Sequence, residues 1–128
     1  MANSRKSKGD RGEREAAECL SALTGYAVRR KLGAGRQDDT GDLDGIPGHA
    51  IQVASWADTA AAARIKPHGA EQQALHAGVP YAATLVRFRG GVWRVVLTPE
   101  QWHRYLKLLP NWQPETFPPS VSDDGITR

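Results

Sequence analysis

The sequence has little cysteine and no long apolar run, and each absence removes a class of protein. Cys19 is the only cysteine among 128 residues, so no disulfide can form within the chain. The opening stretch MANSRKSKGDRGERE is charged, and no segment approaches the roughly 18 apolar residues of a membrane span. We therefore expect a cytoplasmic protein that does not associate with membranes.

Two common kinds of cofactor site are also missing. The 4 histidines show no metal-ligand spacing and Cys19 has no second cysteine near it, so we expect no zinc site. The stretch GAGRQDDTGDLDG is rich in glycine, but it is acidic and lacks the Gly-Lys-Ser/Thr signature of a phosphate-binding loop. We therefore expect no bound nucleotide cofactor.

Positive charge is concentrated in the first third of the chain. The formal net charge is +3, yet residues 1–36 carry nine of the Lys and Arg residues against four Asp and Glu. A basic surface of this kind is typical of proteins that face a polyanion. The alternative is a basic tail that only keeps a small protein in solution.

Chain length and hydrophobic patterning predict one domain. A chain of 128 residues suits a single hydrophobic core. Residues 1–9 read as a basic flexible arm, 10–109 as the folded domain and 110–128 as an irregular, proline-rich segment.

Within the domain the order is helix, strands, helix, strands, helix, which predicts an α/β fold whose mixed sheet of about five strands is flanked by helices. A proline at position 67 is expected to break or kink the second helix. The short RGG stretch predicts a hairpin, and Thr98 with Pro99 predicts a helix start. The strands are expected at 26–32, 42–46, 50–54, 81–88 and 92–98, and the helices at 10–23, 57–77 and 99–109.

Acidic and polar side chains recur at strand spacing on either side of a Pro-Gly turn. Alternate residues of a strand share a face, so Asp42 and Asp44 lie together, and Gln52 and Ala54 share a face of the next strand. Carboxylates here and at Glu13 could hold a hard cation that activates water. The alternative is ordinary turn chemistry beside a solvated helical turn.

Two stretches, KGDRGEREAAECL and GDLDGIPGHAIQV, resemble the PD-(D/E)XK nuclease superfamily and, within it, the small archaeal and phage Holliday junction resolvases. Those proteins begin with a Gly-x-x-x-Glu helix, followed by a strand with an Asp and a strand with Glu-x-Lys. Gly9 and Glu13 match the first element and Asp42 the second, while Gln52 and Ala54 occupy the third.

The resemblance covers about residues 8–108 and implies a restriction-endonuclease-like fold. It implies an endonuclease that depends on Mg²⁺, with Mn²⁺ as a possible substitute. Such an enzyme would cut branched DNA as a homodimer and would be encoded by a phage. Glu13, Asp42 and Gln52 would hold the metal. Gln52 still offers a carbonyl oxygen, although it removes one negative charge from the site.

The resemblance fails at Ala54, where the superfamily has the lysine that positions the attacking water. Either the natural protein lacks a lysine at position 54, or an engineered substitution has placed alanine there. Members of the superfamily can supply the equivalent group from a neighbouring element, and Lys66 is the nearest downstream lysine. We therefore assign Lys66 to the catalytic set, against the alternative of an exposed loop lysine.

DNA contact is expected from the basic residues and from one glutamine. The helix after Lys66 carries Gln72 and Gln73, and helix phase favours Gln73 as the one that faces inward. Arg14 is our choice for the scissile region because it follows Glu13. The expected cationic contacts are Arg5, Lys6, Lys8, Arg11, Arg14, Arg29, Arg30, Lys31 and Arg36.

Paired cuts in a four-way junction require two sites, so the resemblance implies two-fold symmetry. Candidates for the dimer interface are Trp93, Trp102 and Tyr105. Trp56, Trp93 and Trp102 are expected in the core or an interface rather than as base-stacking platforms. A second hypothesis is a catalytically inactive DNA-binding protein with the nuclease fold. A third is a dimeric interaction domain that uses the Trp-rich C-terminal third.

Overall fold

The structure, a computed structural model, describes residues 4–31 and 41–113, with side chains described from residue 9 onward. Four of the expected DNA contacts therefore lie outside the described side chains: Arg5, Lys6, Lys8 and Arg36.

Three helices and five strands make up the described chain. They follow one another along the chain in the predicted order, and the connection between β3 and β4 is helical. The elements are α1 (Ser4–Thr24), β1 (Arg29–Arg30), β2 (Leu43–Asp44), β3 (His49–Ala54), α2 (Thr59–Ala77), β4 (Tyr81–Phe88), β5 (Val92–Val96) and α3 (Pro99–Leu106).

The five strands form one sheet in the order β1-β2-β3-β4-β5. Only β3 and β4 run parallel; the other neighbouring pairs are antiparallel. A parallel pair needs a crossover, and α2 supplies it. The prediction of a single α/β domain with a mixed five-stranded sheet is confirmed.

The sheet has a core on each face because strand residues alternate. One cluster joins Ala16 and Ala17 of α1 to Leu43, Ile51 and Val53. The opposite face packs on α2 through small residues. Its members are Ala50, Ala70, Ala74 and Ala82 in one cluster and Ala54, Ala62 and Val86 in another. Small side chains on both surfaces let α2 lie close to the sheet.

Helix α1 begins at Ser4 rather than at Asp10, so its first turns include residues that the sequence indicated as a flexible arm. Arg and Lys have good intrinsic helix propensity, which allows this start without an apolar stripe. The first strand is shorter than predicted. The Ser21 hydroxyl accepts from the Val28 amide at 2.9 Å and donates to the Val28 carbonyl at 3.1 Å, so the chain before Arg29 is tied to α1 instead of to a strand.

The predicted break at Pro67 does not occur, because α2 runs from Thr59 to Ala77 without interruption. The Asp58 side chain caps its start by accepting from the Ala61 amide, and Gly78 ends it with φ of 70°. Pro67 is buried within the helix, and its carbonyl accepts from Gln101 Nε2 at 2.8 Å. Tertiary contacts thus offset the cost of an internal proline.

The C-terminal elements follow their local sequence signals closely. The β4–β5 hairpin turns through Gly90 and Gly91, whose φ angles are 80° and 74°. Helix α3 begins with the predicted Thr98 cap, and Gln101 completes a capping box by accepting from the Thr98 amide at 2.9 Å. These two predictions are confirmed.

Candidate functional site

The candidate site lies at the carboxyl ends of the two parallel strands, where ligands commonly bind in open α/β sheets. Helix α1 reaches this edge at Gly12, which packs on Ser55 just beyond β3. A Cβ atom on Gly12 would lie 2.9 Å from the Ser55 Cβ, whereas one on Gly9 would meet nothing within 4 Å. Close approach of α1 to the site therefore depends on Gly12 and not on Gly9, the glycine that matches the Gly-x-x-x-Glu element.

Glu13, the next residue, is held by an arginine of the sheet. Its Oε1 accepts from Arg30 Nε at 3.2 Å, and Asp10 Oδ1 accepts from Arg30 Nη2 at 2.9 Å. The Arg30 side chain is 22% exposed, so its guanidinium serves these two carboxylates more than an external phosphate. The structure therefore favours a role for Arg30 in compensating the charge of Asp10 and Glu13 over the predicted DNA contact.

Asp42 is fixed at the start of β2 by bonds to β3. Its amide donates to the Ile51 carbonyl at 2.7 Å, and its Oδ2 accepts from the Val53 amide at 2.9 Å. Because Arg30 pairs with Leu43, the residue after Asp42, the Glu13 and Asp42 carboxylates belong to the same end of the sheet. Asp44 is exposed and does not take part in these bonds.

Gln52 and Ala54 face α2, on the side of the sheet opposite α1. Gln52 is 6% exposed, and its Oε1 is buried without a hydrogen-bond partner. A Cβ on Gly69 of α2 would lie 3.0 Å from that oxygen, so the helix closes tightly over the amide. Ala54 is 0% exposed. This polar position of β3 is therefore covered, because small residues of α2 let the helix lie close to the strand.

The predicted metal ligands divide into two groups. Glu13 and Asp42 supply carboxylate oxygens at the same end of the sheet, and such oxygens suit Mg²⁺ or Mn²⁺. Gln52 supplies an orphaned oxygen, but under α2. Within 9–31 and 41–113, no group of three or more His, Cys, Asp or Glu side chains is arranged to hold a metal ion.

The two predicted contributors from α2 lie apart from Glu13. Lys66 Nζ is 5.7 Å from the centroid of the Trp56 ring, which places its charge beside the segment that follows β3. Gln73 faces inward as predicted, while Gln72 is exposed. At 3% exposure, however, Gln73 has no surface for the expected DNA contact.

Cationic side chains surround this edge. Arg11, Gly12, Glu15, Ser55 and Arg87 line a cleft of about 220 Å³, in which Arg87 Nε donates to Glu15 Oε1 at 2.8 Å. An adjoining cleft of about 480 Å³ shares two of these residues; it is lined by Ser55, Trp56, Ala57, Thr59, Arg87, Phe88, Arg89 and Gly90.

A third cleft, of about 310 Å³, lies between α1 and β1 and includes Arg14, Arg29 and Arg30. Arg14 and Arg29 are both exposed. Three of the predicted cationic contacts, Arg14, Arg29 and Arg30, thus lie together on one side of Glu13, and Arg11 lies on the other. The predicted basic surface is assembled in part by the fold.

Sequence reasoning missed Arg87 and Arg89. Arg87 lies at the end of β4, the strand beside β3, and Arg89 begins the turn that follows it, at alternate positions of the Arg-Phe-Arg pattern before Gly-Gly. A basic pair at the carboxyl end of a parallel strand is the signal that could have identified them.

No protein-family model, curated protein or solved structure matches this chain. Among the residues that the structure describes, no helix is both long and apolar enough to cross a membrane.

Proposed function

We propose that this protein is a metal-dependent endonuclease that binds branched DNA and hydrolyses its phosphodiester bonds. The observation that carries the proposal is the placement of Glu13 and Asp42 at the end of the sheet where cationic clefts open. Arg11 and Arg87 line a cleft on one side of Glu13, and Arg14 and Arg29 line one on the other. Phosphate backbones would lie along these clefts, with the acids between them.

In this mechanism Glu13 and Asp42 would hold the metal, and Gln52 remains the predicted third ligand. The bound ion would supply Lewis acidity and a water of lowered pKa. Arg30, which contacts Glu13, would keep the carboxylates compensated before metal binds and would compete with the ion for them. Lys66, which lies beside Trp56, would bring positive charge to the scissile phosphate.

Symmetric cutting of a junction would require a homodimer. Of the predicted interface residues, Trp102 is 58% exposed. Tyr105 instead stacks with His49 and Tyr81, and Trp93 packs partly against the α1 core. We place the enzyme in the cytoplasm of a bacterial or phage-infected cell, where branched DNA occurs.

A second candidate function is DNA binding without cleavage, and Ala54 favours it. The position that should carry the catalytic lysine is fully buried against Ala62 and Val86, so no lysine could reach the Asp42 side chain from there without moving α2. Lys66 has to supply the missing charge if the protein is an enzyme.

One experiment separates the two functions. A labelled four-way junction and a linear duplex are incubated with the protein in Mg²⁺, in Mn²⁺ and in EDTA. Metal-dependent paired nicks that disappear in Glu13→Gln, Asp42→Asn and Lys66→Ala support the enzyme, with the exposed Glu100→Gln as the control that keeps activity. Salt-sensitive binding without nicks supports the inactive protein, and full activity of Lys66→Ala removes that lysine from the mechanism.

A further inference from the structure

The larger cleft beside β3 and β4 is lined by an indole ring and two arginines, and by no acidic side chain. Its volume is about 480 Å³, within the range of sites that hold small organic molecules. Arg89 is exposed at the tip of the β4–β5 hairpin, and Arg87 is 36% exposed. The only described carboxylate bonded to either arginine is that of Glu15, on Arg87. The cleft therefore keeps a positive surface.

Trp56 differs from the other residues of the cleft because it offers a partly open indole ring. The residue is 39% exposed, so it does not lie in the core of the chain. The Lys66 ammonium lies 5.7 Å from its ring centroid, close enough for a cation–π interaction. This contact anchors the indole at the cleft wall while leaving part of the ring open.

We propose that this cleft binds an unpaired nucleotide, with the base stacked on Trp56 and the flanking phosphates on Arg87 and Arg89. The inference rests on the proposed function, since it names the part of branched DNA that the site would recognise. The preferred substrate class is then a branch with a single-stranded arm, such as a splayed or flapped duplex, rather than a fully paired four-way junction.

The combination of ring and cations favours a single strand over a duplex. Paired bases stack on one another and present only their edges in the grooves, whereas an unpaired base exposes a face to an aromatic ring. Single-strand sites combine a positive groove with such rings, and stacking tolerates any base. Thr59 adds a hydroxyl to the same cleft. These features select for an exposed base and for no particular sequence.

The test measures equilibrium binding in EDTA, so that cleavage plays no part. The probes are labelled oligothymidine about 20 nucleotides long, a splayed-arm duplex and a fully paired junction. Trp56→Ala should weaken binding of the first two by about fivefold or more and leave the third within about twofold. Leu75→Ala, which removes an exposed apolar side chain of α2 outside the cleft, should change none of them.

A second readout guards against a variant that fails to fold. Oligothymidine should quench the tryptophan emission of the wild type and of Trp102→Phe but not of Trp56→Phe. Quenching that persists in Trp56→Phe, or equal single-strand affinity in Trp56→Ala, would overturn the proposal. Junction binding that survives in every variant would leave the proposed function standing, whereas absence of binding to all three probes by the wild type would remove both.

Discussion

Ala54 shows how one buried side chain constrains the chemistry of the whole site. It follows Gln52 and Val53 on β3, yet it belongs to the packed layer beneath α2. A catalytic group needs access to substrate, and this position has none in the described fold. Any positive charge for catalysis must come from the rim, where Lys66 and the arginines lie.

Restoring the lysine at position 54 should destabilise the protein without restoring cleavage. Ala54→Lys forces a long chain into a space filled by Ala62 and Val86, and overpacking of this kind typically costs about 1–3 kcal/mol before the ammonium is desolvated. Thermal denaturation followed by circular dichroism measures the loss. Ala60→Lys on the exposed side of α2 is the matched control and should stay close to wild type. A variant that is as stable as wild type would show that α2 can move away.

A stacked aromatic cluster at the opposite end of β3 makes stability depend on pH. Pro47 O can only accept, so His49 donates to it through Nδ1 at 2.8 Å, and His49 Nε2 is hydrogen-bonded to the Tyr105 hydroxyl at 2.8 Å. Burial raises the pKa of Tyr105 above its usual 10.0, and Tyr81 nearby raises it further. The folded state thus holds this proton more tightly than the unfolded state.

Since the folded pKa of Tyr105 is raised, its contribution is complete below about pH 10 and is lost as pH rises through the folded value. Urea denaturation between about pH 8 and about pH 11 should show a steeper fall in unfolding free energy for wild type than for Tyr105→Phe. At neutral pH the same variant should be less stable by about 0.5–1.5 kcal/mol, because the hydrogen bond to His49 is gone. Tyr26→Phe, at an exposed tyrosine, should keep the wild-type slope; equal slopes in all three proteins would contradict the assignment.

At the scale of elements, local sequence signals predicted a helix or turn correctly wherever tertiary contacts did not override them. The Thr98 cap and the paired glycines at 90 and 91 act within a few residues, so α3 and the hairpin could be predicted from sequence. Helix α2 passes through Pro67 because buried contacts on both sides of the proline hold it, and sequence patterning carries no measure of those contacts. Arg87 and Arg89 were missed for a similar reason: the order of strands in the sheet places them at the site, and sequence patterning does not give that order.

One buried glutamine links α2 to α3. Gln101 is 1% exposed; it accepts from the Thr98 amide and donates to the Pro67 carbonyl at 2.8 Å. Gln101→Ala removes a cap and a buried hydrogen bond, and we expect a loss of about 1–3 kcal/mol in unfolding free energy. Chemical denaturation measures it, with the neighbouring, exposed Glu100→Gln as control. A loss no larger than that of the control would mean that α3 docks through other contacts.

For the whole molecule, charge is distributed by the fold rather than by sequence position. At the carboxyl edge of the sheet, Arg11 of the N-terminal third shares a cleft with Arg87, and Arg87 shares the adjoining cleft with Arg89. Part of the predicted basic surface is neutralised instead: Arg30 serves Asp10 and Glu13. The net charge of +3 therefore understates how positive this edge is.

This distribution predicts how DNA affinity responds to salt. Each phosphate contact releases counterions, so the logarithm of the binding constant should fall linearly with the logarithm of salt concentration, with a slope of about −0.9 per contact on duplex. Arg11→Gln should reduce the magnitude of that slope by about one and weaken binding to every duplex sequence alike. Arg94→Gln is the matched control, since Arg94 is an exposed arginine of β5 that lines neither cleft at the carboxyl edge. Fluorescence anisotropy over a salt series measures both slopes, and equal slopes for the two variants would place the DNA on another face of the molecule.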